Sequence, residues 1–170
     1  MRNKRKIDRI SGDELMWLNL DVCGIKTQLR IHGYRPSTKN DWDSQWCTCD
    51  FAFSSGDWLN YHRECTEIML SCEVEELEST LSQLLNDELK VTKEIACIEP
   101  DFVFTFYPKK DLRQDPNYSN IQSGYEFLDC YMEWKIYFWH GGLTDNFLTV
   151  TLGREEMNSF KNYLSSIIRK

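Results

Sequence analysis

Five cysteine and histidine residues in the first half of the chain are of the types that bind zinc: Cys47, Cys49, His62, Cys65 and Cys72. Structural zinc sites usually hold two cysteines in a Cys-x-x-Cys turn, but Cys47 and Cys49 lie two residues apart in a segment that alternates like a strand. Phe51 and Phe53 continue the same face, and a reduced cysteine packs as a small apolar side chain. We therefore predict that Cys47 and Cys49 lie in the core and that the protein holds no metal and no cofactor.

Asp41 and Asp43 are a second candidate site, because paired carboxylates can perform acid–base catalysis or bind a cation. A structural role fits the same segment, with Asp41 capping a turn and Trp46 packed in the core. Glu99 precedes Pro100, which holds it extended, and its carboxylate could accept hydrogen bonds from neighbouring backbone amides. We interpret these positions as structural.

The common motifs of enzyme active sites are missing from the sequence. It has no G-x-S-x-G, no G-x-x-x-x-G-K-[ST] and no G-x-G-x-x-G. The segment His140-Gly141-Gly142 predicts a hairpin turn in which glycine supplies a positive φ. We predict that the protein is not an enzyme. The alternative from that class is a metal-dependent hydrolase that uses Asp41, Asp43 or the cysteine and histidine set.

Acidic charge is concentrated in the middle of the chain. The net charge is −7, and residues 1–50, 51–107 and 108–170 carry +2, −9 and 0. Such a protein does not bind nucleic acid through bulk charge, but it attracts a basic protein partner. An amphipathic helix predicted over residues 73–85 carries much of this charge. The partner-contact candidates on or near it, which equally fit a solvated face, are Glu73, Glu75, Glu76, Glu78, Asp87 and Glu88.

Residues 125–139 alternate over their whole length and predict one long strand that bends or bulges. Its apolar face comprises Leu128, Cys130, Met132, Trp134, Ile136 and Phe138. The opposite face mixes aromatic and charged side chains, a combination typical of interaction surfaces, at Tyr131, Glu133, Lys135 and Tyr137. The other interpretation is that a helix covers this face.

The remaining pattern predicts an α+β fold with antiparallel sheet, because each of two strand meanders leads into an amphipathic helix. We expect a hairpin over 14–32, strands at 46–53, 58–71, 91–98, 102–107 and 146–152, and a second helix at 155–168. A bulge is expected near 62–65, and 109–124 is expected to be a long, poorly ordered loop.

An offset of eighty residues superposes Glu155 on Glu75 and Leu164 on Leu84. This indicates either an internal duplication or two units that obey the same helix rules.

The length fits a single domain over residues 1–170. The first twelve residues are basic and predicted to be a flexible tail, and no apolar run of signal-peptide or membrane-spanning length follows them. Seven cysteines without framework spacing are expected to be reduced thiols. We expect a cytoplasmic monomer or weak homodimer that has no membrane partner.

Several short segments together resemble a known family. They are the Asp-x-Asp-x-x-Trp segment that begins at Asp41, the leucine-rich first helix, IEPDFVFTF around Glu99 and Pro100, and the terminal DNFLTVTLGREEMNSFKNYLSSI. Their combination, over residues 41–168, is similar to the immunity proteins of the WapI type. The first forty residues add nothing to the resemblance, and 109–124 looks like an insertion or a divergent region.

The resemblance implies a small cytoplasmic protein that binds one toxin domain, the toxic C-terminal domain of a wall-associated protein, and blocks it stoichiometrically without catalysis. Toxins of this kind are often nucleases with basic substrate grooves, so an acidic surface could imitate phosphates there. The alternative is an orphan binding or regulatory module that shares the fold and has no toxin partner.

Overall fold

A computed structural model describes residues 16–37 and 45–169, in which the chain forms two helices and ten strands. In chain order the elements are β1 (Leu18–Val22), β2 (Ile25–His32), β3 (Trp46–Ser55), β4 (Leu59–Leu70), α1 (Ser71–Leu85), β5 (Lys93–Ala96), β6 (Phe102–Tyr107), β7 (Lys110–Asp111), β8 (Phe127–Leu128), β9 (Tyr131–Trp139), β10 (Leu143–Leu152) and α2 (Arg154–Ile168). All strand pairs are antiparallel, so the predicted α+β class is confirmed.

Sheet A is a meander with the strand order β1-β2-β3-β4. The predicted hairpin is confirmed: β1 and β2 are joined by a turn in which Cys23 and Gly24 have φ values of 52° and 83°. Two consecutive positive φ values match the twist of a tight hairpin. The predicted bulge is also confirmed, since Cys49 faces Thr66 and Phe51 faces Arg63, which leaves two β4 residues opposite Asp50.

Sheet B has the strand order β10-β9-β6-β5, so it is also a meander once β7 and β8 are set aside. Those two short strands pair with each other as a separate ribbon. The predicted loop at 109–124 contains β7 and a 3-10 turn at Leu112–Gln114. The prediction of one strand over 125–139 is wrong, because Asp129 and Cys130 separate β8 from β9 and Leu128 is exposed.

The helices begin slightly earlier than their amphipathic patterns indicate, at Ser71 and Arg154. The backbone N–H of Ser71 donates to the carbonyl of Gln45 (2.8 Å), so α1 starts directly at the end of β4. Glu73 accepts from the backbone N–H of Leu70 (2.8 Å), one half of a capping box. No described helix has the length and apolarity required to cross a membrane.

Both sheets and both helices contribute to one apolar cluster. Aromatic rings join the sheets, with centroid distances of 4.9 Å for Phe51–Phe102 and 5.5 Å for Phe53–Trp134. Trp134 also stacks on Phe160 of α2 at 5.5 Å. Sheet A and α2 therefore pack on the inward face of sheet B, and no element in the described ranges covers its opposite face.

The two halves repeat the same order, a four-stranded meander followed by a fifteen-residue helix. α1 starts at Ser71 and α2 at Arg154, an offset of 83 residues. At this offset the buried positions Val74, Leu77, Thr80, Leu81 and Leu84 correspond to Met157, Phe160, Tyr163, Leu164 and Ile167. The predicted offset of eighty superposes the glutamate pairs and some buried positions, such as Leu164 on Leu84, but an offset of 83 superposes all five of these buried positions.

Candidate partner-binding site

The outward face of sheet B combines aromatic and charged side chains on neighbouring strands. We call this surface the mixed face, and it comprises Tyr107, Tyr131, Glu133, Lys135, Tyr137 and Phe147. The alternation predicted for this part of the chain holds within β9, where Met132, Trp134 and Ile136 are fully buried and the intervening residues are half-exposed. A strand that packs one side into the core presents its other side as a rigid surface.

One end of the mixed face is a pair of stacked tyrosines. Tyr107 lies opposite Tyr131 in the β6–β9 register, and their ring centroids are 4.5 Å apart at an interplanar angle of 14°. The hydroxyl of Tyr107 donates to Oε2 of Glu133 (3.1 Å). Partial burial and this carboxylate raise the pKa of Tyr107, so its hydroxyl remains a donor over the physiological range.

The other end is built around Phe147, which the sequence pattern did not single out. The Phe147 ring is 51% exposed and lies 5.5 Å from the ring of Tyr137. The Nζ atom of Lys135 is 4.8 Å from the Phe147 centroid and 5.9 Å from that of Tyr137. This ammonium group has no ion pair within the described residues, so it interacts with aromatic faces and remains available to a partner.

No described element covers the mixed face. Its neighbours on the same side of sheet B all retain solvent exposure: Glu94, Ala96, Val103, Thr105, Thr149 and Thr151. Both helices pack on the apolar side of the sheets, so the interpretation in which a helix covers this face does not describe the structure.

The acidic residues of α1 have contacts within the protein. Glu75 accepts hydrogen bonds from the hydroxyl of Tyr34 (2.7 Å), the backbone N–H of Ser37 (2.8 Å) and the Ser37 hydroxyl. Burial acts to raise the pKa of Glu75, but these hydrogen bonds outweigh it and hold the pKa below its ordinary value. Glu75 therefore fastens the segment after β2 onto α1.

The other three predicted helix carboxylates are bound in different ways. Glu73 accepts hydrogen bonds from the backbone N–H groups of Leu70 at the start of α1 and of Ile98 (2.6 Å). Burial of the Glu73 carboxyl raises its pKa. Glu78 accepts from the hydroxyl of Ser165 in α2 (2.6 Å). Glu76 pairs with Lys93 at 2.9 Å, and half of its side chain stays exposed. Of these four residues, Glu76 is the most accessible to a partner.

In a comparison with known families, the family described as immunity protein WapI-like matches residues 23–170. The chain belongs to the WapI-like immunity protein family. The match begins at the β1–β2 turn and includes everything that follows, so the expectation that the first forty residues contribute nothing is wrong. Among proteins of curated function, none matches the chain.

In this member of the WapI-like family, the turn between β5 and β6 is held by a residue that the sequence pattern does not single out. Glu99 and Pro100 lie at the surface of this turn, and Glu99 accepts no hydrogen bond within the described residues. The adjacent Asp101 is 1% exposed and accepts from Arg63 at 2.6 Å. Arg63 also lies over the ring of Trp139 (4.8 Å), so this buried ion pair ties β4 to one end of the β6–β9 pair, where β6 begins and β9 ends.

The candidate zinc ligands are not brought together in the described part of the WapI-like fold. Cys47 and Cys49 are fully buried, as predicted, while His62, Cys65 and Cys72 are exposed. Within residues 16–37 and 45–169, the one group of three metal-capable side chains is Asp87, Asp129 and Cys130. The guanidinium of Arg154 already binds both of its carboxylates, at 3.1 Å and 2.6 Å. Trp46 is half-buried in β3, and Asp41 and Asp43 lie outside the described residues.

Proposed function

We propose that this protein is an immunity protein that binds one toxin domain in a one-to-one complex and neutralises it by covering its functional surface, without catalysis. Membership of the immunity family supports the class of partner. The mixed face supports the mode of action, because it is a surface that no described part of the chain covers and not a pocket in which catalytic groups converge.

The observation that carries the proposal is the composition of the mixed face on a rigid sheet. Tyrosine and phenylalanine bury a large area with few rotatable bonds, and such residues dominate the energetics of protein interfaces. Three of these rings are already held in place, two by stacking and one by Lys135. Ordered side chains lose little entropy on binding, which favours a tight complex.

The size of the face indicates that the interface extends beyond it. Three strands spaced ~4.8 Å apart, each contributing ~20 Å of length, offer about 300 Å² of sheet. A stable complex buries about 800 Å² on each partner. The toxin therefore also contacts a surface next to the mixed face.

Electrostatics favour a basic toxin. The net charge of −7 draws a positively charged partner from a distance and raises its association rate at low salt. We assign part of this attraction to Glu76 on α1 and Glu94 on β5, because both are exposed. We also propose that the complex forms in the cytoplasm, between the toxin and a monomeric immunity protein.

The test is co-purification from the native cells, followed by neutralisation of the captured toxin domain by the purified chain. We expect inhibition to saturate at equimolar ratio. We expect Tyr137→Ala together with Phe147→Ala to weaken binding by at least about thirtyfold, as loss of a hot spot does. The matched control is Trp58→Ala, since Trp58 is 69% exposed on the β3–β4 turn of sheet A.

Two outcomes would refute the proposal. Inhibition that turns over many toxin molecules per chain would indicate catalysis. Full binding by the Tyr137 and Phe147 double variant would remove the mixed face from the interface. Recovery of a partner without toxic activity would instead favour the orphan binding module.

A further inference from the structure

A groove lies beside the stacked tyrosines of the mixed face, with a volume of about 510 Å³. We call it the basic groove and define it by Lys90 and Val91 from the α1–β5 connection, Lys109 and Lys110 after β6, and Leu128 of β8. Tyr107 and Tyr131 line it too, so it is continuous with the mixed face. A toxin interface that extends beyond the mixed face could therefore include this groove.

The cations of the basic groove are largely without acidic partners. The Nζ atom of Lys90 donates to the carbonyl of Asp87 (2.7 Å), and that of Lys109 lies 5.0 Å from the ring of Phe127. Neither has an ion pair within the described part of the chain. Lys110 pairs with Asp115, but its side chain remains 55% exposed. In a protein with a net charge of −7, Lys90 and Lys109 therefore place two unpaired positive charges side by side.

Apolar side chains lie open between these cations. Val91 is 71% exposed and Leu128 is 44% exposed. A second hollow of about 320 Å³ shares Lys90 and Lys109 and extends to Phe127, which is 51% exposed. Leaving such apolar groups in water has a free-energy cost that a partner with matching apolar side chains would remove.

We propose that the basic groove binds an acidic segment of the toxin, with its carboxylates on Lys90 and Lys109 and an apolar side chain between Val91 and Leu128. This inference rests on the proposed function and deepens it, because it states which chemistry the toxin presents beside the mixed face. The net negative charge attracts the toxin as a whole, and the basic groove fixes its orientation on arrival.

The charges around the groove favour a peptide over a nucleic acid. Glu133 lies directly beyond the tyrosine pair, and Asp87 and Asp111 line the adjoining hollow. A phosphate backbone carries a regular series of negative charges and would place several of them against these carboxylates. A peptide can place a carboxylate at each lysine and uncharged residues elsewhere.

The test uses the full ¹⁵N-labelled chain and the peptide acetyl-Glu-Leu-Glu-Phe-Glu-amide, followed by NMR. We expect saturable shifts of the amides of Val91, Lys110 and Leu128. The matched peptide with lysine in place of each glutamate should leave these amides unshifted. The double variant Lys90→Glu with Lys109→Glu should weaken binding at least about tenfold, because it reverses both contacts. The control Lys26→Glu with Lys161→Glu makes the same change in net charge elsewhere and should bind normally.

Three results would overturn the proposal: no shifts at millimolar peptide, equal shifts with the lysine peptide, or tighter binding of tripolyphosphate that competes the peptide away. Because no toxin is present, this outcome is separate from that of the proposed function. Neutralisation without peptide binding would remove only the groove from the interface. Peptide binding in a chain that neutralises no toxin would overturn the toxin assignment and leave an acidic-peptide site.

Discussion

Arg154, the first residue of α2, joins three parts of the chain through its guanidinium. It donates to the carbonyl of Leu85 at the end of α1 (2.7 Å), to Asp87 in the following turn and to Asp129 in the break between β8 and β9. A cation at the end of α1 also complements the negative end of that helix dipole. One side chain therefore fixes both the end of one helix and the point at which a strand is interrupted.

This arrangement predicts a pH-dependent contribution to stability. Hydrogen bonds from Arg154 lower the pKa of Asp129 from 3.8 to about 2. A carboxylate with a depressed pKa stabilises the fold above its unfolded pKa, and this contribution is lost as the pH falls from about 4 to about 2. Because both partners are exposed, we expect Asp129→Asn to cost less than about 1 kcal/mol at pH 7.

Urea unfolding at a series of pH values checks this prediction. The difference between the native chain and Asp129→Asn should narrow steadily below pH 4. Asp145→Asn is the control, because Asp145 is exposed on β10 and has no described ion pair, so its effect should not follow this course. A difference that stays constant down to pH 2.5 would show that the pair contributes nothing to folding.

At the scale of elements, most strands and both helices follow from local patterns. Alternating apolar and polar residues predicted β3, β6 and β9 correctly. Apolar residues that repeat with the 3.6-residue period of a helix predicted α1 and α2. The failure at 125–139 has a nonlocal cause, since alternation runs through Leu128 without interruption. The break is made by Asp129, which accepts from the backbone N–H of Cys130 (2.8 Å) and binds an arginine 25 residues later. No short window of sequence contains that partner.

Two neighbouring acids on α1 should behave differently when removed. Glu75→Ala should speed amide hydrogen exchange at Ser37 and lower the free energy of unfolding by about 1–3 kcal/mol, because it removes hydrogen bonds to a charged group. Glu76→Ala should change neither, since its carboxylate meets only Lys93 at the surface. Hydrogen exchange and urea unfolding of the two variants measure this difference. Equal effects would mean that Glu75 does not hold the segment onto α1.

At the scale of the whole molecule, Trp134 connects the two halves. Its ring is fully buried against Phe53 of sheet A, Phe102 and Phe104 of sheet B, and Phe160 of α2. Its indole N–H is buried and finds no acceptor among the described residues. The contacts of the Trp134 ring therefore stabilise the fold, while its buried N–H without an acceptor destabilises it.

We expect Trp134→Ala to lower the free energy of unfolding by about 3–5 kcal/mol, as large aromatic deletions do. Trp134→Phe should cost clearly less, because it keeps most of the packing and removes the unpaired N–H. Both sheets should unfold together, so far-ultraviolet and near-ultraviolet circular dichroism should give the same transition. Separate transitions for the two signals would show that the halves are independent, whatever the total loss.

The candidate site was only partly visible in the sequence. The β9 residues were found because each alternates with an apolar neighbour. Phe147 was missed because the pairing of β10 with β9 shifts in register between Leu143 and Phe147, and the sequence does not reveal that Phe147 lies opposite Tyr137. The basic groove was missed because Lys90 and Lys109 lie on different connections, and only the fold brings them together. Composition predicts which chemistry is available, and tertiary structure decides which residues share a surface.

The alternation of β9 has a consequence for how such proteins diversify. The core side of β9 consists of Met132, Trp134 and Ile136, which are buried. The alternate positions Glu133, Lys135 and Tyr137 lie on the mixed face. Substitutions at the odd-numbered positions can change which partner is recognised without disturbing the even-numbered ones that hold the chain together. Under the proposed function, a lineage could exchange one toxin for another by small steps along a single strand, and each intermediate in that history would remain folded.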